Sequence, residues 1–132
     1  MITALDTNIL LDIFTSDPQH LAHVAALIEK ASDEGSLIIC EVVYAELAPR
    51  FPTQEQLDEV LKGLGIELLH TRREGLFVAG QAWRSYRVSG GPRARVLADF
   101  LIGAHAATLA DRFLTRDRGF YRDYFSGLQL LE

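Results

Sequence analysis

Ile2-Thr3-Ala4-Leu5-Asp6-Thr7-Asn8-Ile9-Leu10 opens the chain, and the change of character at Asp6 decides how the rest is read. An apolar run that stops at an acid and two small polar residues is the pattern of a central strand entering a tight turn before a helix. Ligands of open α/β sheets bind beyond the carboxyl ends of the strands. Asp6 therefore stands where chemistry gathers in such folds.

Working outward, a short helix over residues 9–14 is stopped by Ser16-Asp17-Pro18, and a longer one over 19–31 carries Leu21, Val24, Ala25, Leu27 and Ile28 on one face. Gly35 precedes a second strand at 37–40, and a helix over 42–48 closes at Pro49. Thr53 with Gln56 three residues on is a capping-box pattern for a helix over 53–64. A third strand follows at 66–70, then a helix over 74–88 and the Ser89-Gly90-Gly91-Pro92 break. A helix rich in small residues spans 95–110, followed by a strand at 113–115, a short helix at 120–124 and a last strand at 128–131. Strands alternating with helices predict an α/β fold with a mostly parallel sheet covered on both faces. The single domain is expected over residues 1–132, without internal repeats.

A chain of 132 residues, 48% apolar and 23% charged, has the composition and length of a globular domain with its own core. The lone Cys40 reads as a buried strand residue in a reducing compartment. Asp6 interrupts the N-terminal apolar run too early for a signal peptide, and the run from Phe100 to Ala110 is too short to span a bilayer. The expectation is a cytoplasmic protein with no membrane partner. The net charge of −5 conceals an asymmetry: residues 1–67 carry twelve acids and three bases, residues 68–132 six acids and ten bases, all arginine. Arginine matches phosphate with a planar fork, although a solvated helical surface accounts for the same count.

Three further acids join Asp6. Glu46 lies on the helix after the second strand, Asp99 near the start of the small-residue helix, and Asp117 just beyond the strand at 113–115. With right-handed crossovers, each follows or faces the same edge of one parallel sheet. Four carboxylates without cationic partners repel one another, so a divalent cation is the natural filler, and ligation by carboxylates suits Mg²⁺ or Mn²⁺. Each acid singly has a bland reading, as helix cap, dipole partner, turn residue or surface acid. Glu41, directly after the second strand, competes with Glu46. Thr7, Asn8 and Thr115 are placed to hold the carboxylates, and Asn8 is also good turn chemistry. Arg93 and Arg95, leading into the helix of Asp99, are candidates for phosphate contacts. Asp12, His20 and His23 read as surface residues, His70 and His105 as structural ones.

Leu5-Asp6-Thr7-Asn8-Ile9-Leu10, Tyr44-Ala45-Glu46-Leu47, Ala98-Asp99-Phe100-Leu101-Ile102-Gly103-Ala104-His105-Ala106 and Leu114-Thr115-Arg116-Asp117 together resemble the motifs of PIN-domain ribonucleases. Motif order and length most resemble toxins of the VapC type, over the whole chain. The resemblance implies a PIN-like α/β/α sandwich with a central five-stranded parallel sheet, a Mg²⁺ or Mn²⁺ site, and endonuclease activity on RNA. By motif position, Asp6, Glu46, Asp99 and Asp117 match the family's acids, and Thr115 falls where the family often carries a hydroxyl. Also implied are a homodimer and an antitoxin whose C-terminal segment wraps the toxin and obstructs its site. Many relatives carry a further acid two residues after the position of Asp117, where this chain has Gly119. The implied chemistry uses water as nucleophile, activated by metal, and needs no nucleophilic side chain. Two other readings remain open at this level: a catalytically inactive PIN fold that binds RNA or protein, and a phosphotransfer protein using Asp6 as acceptor, which would need a lysine for the phosphoryl group where the only lysines are Lys30 and Lys62, both on predicted surface helices.

Overall fold

A computed structural model describes residues 1–92 and 95–131. Strand β1 (Ile2–Leu5) is followed by helices α1 (Thr7–Phe14) and α2 (Leu21–Glu34), then β2 (Ser36–Ile39), α3 (Glu41–Leu47) and a 3-10 turn at Ala48–Arg50. Helix α4 (Gln54–Gly63), β3 (Ile66–Leu68), α5 (Arg73–Val88), α6 (Leu97–Leu109), β4 (Arg112–Leu114) and α7 (Arg118–Tyr124) complete the order.

All pairings are parallel, in the order β3-β2-β1-β4, so the N-terminal strand is interior and flanked on both sides. Successive strand residues face opposite sides of a sheet. Thr3, Ala4 and Leu5 are nevertheless all buried, as are Leu37, Ile38 and Ile39, so helices cover both faces. Among the described residues the sheet has four strands rather than the expected five. The segment at 128–131 reaches β4 only through an isolated bridge between Phe113 and Leu130, with Gln129 and Leu131 exchanging backbone hydrogen bonds with Phe113.

Several boundaries shift for identifiable reasons. Helix α1 starts at Thr7 instead of residue 9 because Asp6 itself is the N-cap, accepting from the Thr7 N–H. Cys40 lies one residue past β2 at the N-cap of α3, where burial pushes its thiol up to about 11 and leaves it unreactive. Asp12, expected at the surface, is buried. Helix α1 is apolar on nearly every side and has little solvent face to offer it, and Arg116 compensates: Nη2 donates to Oδ1 at 3.0 Å, and Nε stands 2.7 Å from Oδ2 in ionic contact without hydrogen-bond alignment. A second arginine of the basic half, Arg112, is buried in β4 on Thr3 and Glu34. Part of the charge asymmetry is thus spent in ion pairs across the molecule.

Helix α6 packs closely against α5 and under a set of aromatic rings, Phe100 lying 5.3 Å from Phe120 and 5.4 Å from Tyr86. A Cβ at Gly103 would stand 2.4 Å from the Phe125 ring, which is why glycine occupies that turn of α6. Among the described residues, no helix is long and apolar enough to cross a membrane.

Candidate active site

With β1 between β2 and β4, the chain's crossovers run one way from β1 through β3 and then return to the other side of β1. The carboxyl ends of β1 and β4 therefore border the switch point, the usual crevice of an open α/β sheet. Leu5 is paired with Leu114, and the Asp6 N–H donates to the Leu114 carbonyl at 3.0 Å. The next residues on the two strands, Asp6 and Thr115, are consequently side by side.

Asp6 is 5% exposed, with both carboxylate oxygens engaged. Oδ1 accepts from the Thr7 N–H at 2.7 Å, and Oδ2 accepts from Thr115 Oγ1 at 2.7 Å and Asn8 Nδ2 at 3.3 Å. Burial raises its pKa to about 6 against those hydrogen bonds, and Glu46 and Asp117 add to the rise. Thr7 also ties Asp6 to Glu46, its hydroxyl donating to Oε1 at 2.7 Å. Thr115 does the same for Asp117, accepting from its N–H at 3.0 Å. Asn8 Oδ1 accepts from the Arg116 N–H at 3.3 Å. The three polar residues flagged in the sequence thus link the acids, one by one, to the backbone at the strand ends.

Asp99 sits in the first turn of α6 and accepts from the Val96 N–H at 3.2 Å. Its relation to the other acids shows at Tyr121, a buried ring on α7 whose phenol burial pushes far above its ordinary range; Asp6, Asp99 and Asp117 each push it further. Sequence reading passed over Tyr121, although it lies one helical turn after Asp117, its N–H bonded to the Asp117 carbonyl.

Glu41 does not join this group through its own hydrogen bonds. Its carboxylate accepts from the Thr71 N–H at 2.9 Å and hydroxyl at 2.7 Å; burial opposes the charge, but those bonds prevail and hold the group below the usual range. His105 is buried on the Leu69 carbonyl at 2.6 Å, and burial lowers its pKa, in keeping with a structural role. Arg95 donates through Nη1 to Asp117 Oδ2, while Arg93 lies outside the described residues.

A buried carboxylate reinforced by neighbouring negative charge is a site short of positive charge, and its oxygen donors suit a hard divalent cation. The acids therefore fit the ion that their motifs imply. With Arg95 among them they are not gathered tightly: among the described residues, the trio whose ligand atoms lie within 4.8 Å of one another is Asp12, Asp17 and His20. In that trio Arg116 already pairs with Asp12, and His20 stands 3.4 Å from Asp17, so its acids have partners. For the phosphoacceptor reading, Asp6 is enclosed by donors, and Lys30 and Lys62 are exposed on α2 and α4.

A family model described as PIN domain matches residues 3–125. The chain belongs to the PIN domain family. This PIN domain shares its fold with solved structures that include VapBC2 from Rickettsia felis bound to a DNA fragment from their promoter, at 23% identity and TM-score 0.74, covering 98% of this chain and 97% of that one. VapBC-1 from nontypeable Haemophilus influenzae is similar at 22% identity and TM-score 0.73, covering 98% and 96%. FitAcB from Neisseria gonorrhoeae is similar at 20% identity and TM-score 0.69, covering 100% and 97%. No curated protein sequence matches it.

Proposed function

We propose that this PIN domain is a metal-dependent endoribonuclease acting in the cytoplasm as the VapC-type toxin of a toxin–antitoxin pair. The observation that carries the reading is Asp6: a carboxylate buried at the switch point, its pKa raised to about 6 by burial, with the negative charges of Glu46 and Asp117 adding to the rise. Asp6 and Asp99, with Glu46 and Asp117, would hold Mg²⁺ or Mn²⁺. Bound there, such an ion supplies Lewis-acid charge for an in-line attack of water on phosphorus.

The chain's own residues set the stage for that chemistry. Thr7, Asn8 and Thr115 fix the Asp6 carboxylate from three directions and link it to Glu46 and Asp117. The Asp6 rotamer is thereby fixed before any ligand arrives, which lowers the ordering cost of binding. Arg93 and Arg95, between the Gly90-Gly91 break and α6, are the arginines best placed in sequence to meet the phosphates flanking the cut. The fold shared with VapBC proteins supports a cognate antitoxin as partner, and exposed Leu76, Phe77 and Val88 on α5 offer apolar surface for a second copy of the chain.

Cleavage of end-labelled RNA in Mn²⁺ tests the reading. Asp6→Asn and Asp99→Asn each keep size while removing a ligand charge, and each is expected to lower the rate by at least about a hundredfold, the order seen when one strong electrostatic contribution is lost. Wild-type rates in both variants at saturating metal would rule the mechanism out. Calorimetry of Mn²⁺ binding separates this from an inactive scaffold, which has no use for the ion.

A further inference from the structure

Arg95 stands among acids that a ribonuclease of this kind would keep for a metal. Its Nη1 donates to Asp117 Oδ2, and that bond raises the guanidinium pKa, with Asp99 adding to it. The flat group also lies over the Phe120 ring, its central carbon 4.0 Å from the centroid. The residue also lines a cleft of about 320 Å³ with Trp83, Tyr86, Arg87, Gly91 and Pro92. The cleft borders the turn in which Gly90 takes φ of 76°.

Those contacts describe a cation held by one carboxylate and an aromatic platform, next to a second carboxylate. We infer that Arg95 is a positioning residue that serves as the site's own counter-ion, pairing with Asp117 while no divalent cation is bound and yielding that carboxylate when one arrives. The inference rests on the metal-dependent reading of the same acids.

Two physical points support it. Asp6 stands under the negative charges of Glu46 and Asp117, and a guanidinium on Asp117 relieves part of that repulsion without a metal. The Arg95–Asp117 pair is also half exposed, at 30% and 35% of the side-chain surfaces. Pairs of that exposure are weak, so a doubly charged ion can displace the arginine. Phe120 keeps the guanidinium close, and the cleft beside it gives the side chain somewhere to go. On this account Arg95 competes with the metal for Asp117, which differs from a purely phosphate-binding arginine.

The test is Mn²⁺ binding by calorimetry to the metal-stripped full chain, comparing wild type, Arg95→Gln and Arg95→Lys. Arg95→Gln should bind Mn²⁺ about three- to tenfold tighter, the order expected when a unit charge several ångströms away in partly solvated surroundings is removed. Arg95→Lys, which keeps the charge, should stay within about twofold of wild type. Trp83, the sole tryptophan, lines the cleft beside Arg95 and gives a second readout: Mn²⁺ should change its emission in wild type and much less in Arg95→Gln. Equal affinities for wild type and Arg95→Gln overturn the counter-ion role and leave the metal site standing. Weaker binding by Arg95→Gln overturns it too, since Arg95 would then be arranging Asp117 for the ion. Absence of Mn²⁺ binding in all three proteins sinks both the counter-ion and the metal reading.

Discussion

At the scale of single residues, Asp6 sets a trade between stability and function. Its folded pKa, about 6, lies above the ordinary aspartate value of 3.8, so the folded state holds a proton that the unfolded chain releases sooner. A group shifted in that direction favours folding below the unfolded value and loses the contribution as pH rises through about 6. Asp6→Asn has no such titration. Relative to wild type in chelator, it should gain stability between pH 4 and pH 7.5, by an upper limit of about 3 kcal/mol from the size of the shift. Urea unfolding at the two pH values measures this, and a difference that does not change with pH would contradict the burial argument. Adding Mn²⁺ should then stabilise wild type and not the variant, because only the folded wild type offers the complete site.

At the scale of elements, α5 and α6 carry glycines with opposite roles. Gly103 is needed because Phe125 fills the space a methyl group would occupy, whereas a Cβ at Gly80 on α5 would meet nothing within 4 Å. Gly103→Ala is expected to cost about 1–3 kcal/mol through overpacking, and Gly80→Ala to gain up to about 1 kcal/mol through helix propensity. Thermal melts of the two variants should move in opposite directions. What the sequence made legible follows the same division. The alternation of elements, the parallel sheet and the strand ends bearing Asp6 and Asp117 could be read because apolar periodicity and breakers are local signals. The single rung at Leu130, the burial of Asp12 and the hold of Thr71 on Glu41 could not, since each depends on a partner more than a dozen residues away. Arg95 was legible as a cation near the acids, but not as the one bonded to Asp117.

At the scale of the molecule, the proposed endonuclease activity calls for a partner to restrain it. We expect induction of the wild-type chain alone to arrest growth in a host lacking that partner, and Asp6→Asn to relieve the arrest. Equal growth of the two strains, with soluble folded protein in both, would count against the toxin role while leaving nuclease activity open. The sheet order adds a matter of timing. Asp6 lies near the start of the chain, yet the hydroxyl that completes its hydrogen bonds belongs to Thr115, 109 residues later, and β1 pairs with β4 over the same span. During synthesis from the amino end, β1, α1 and β2 leave the ribosome long before β4 exists. Until β4 is made, Asp6 has the Thr7 N–H and Asn8 beside it but lacks the Thr115 hydroxyl and the β4 pairing that complete its setting. A chain abandoned part-way, lacking β4, cannot form the arrangement around Asp6 at all. The topology makes β4 a precondition for the site.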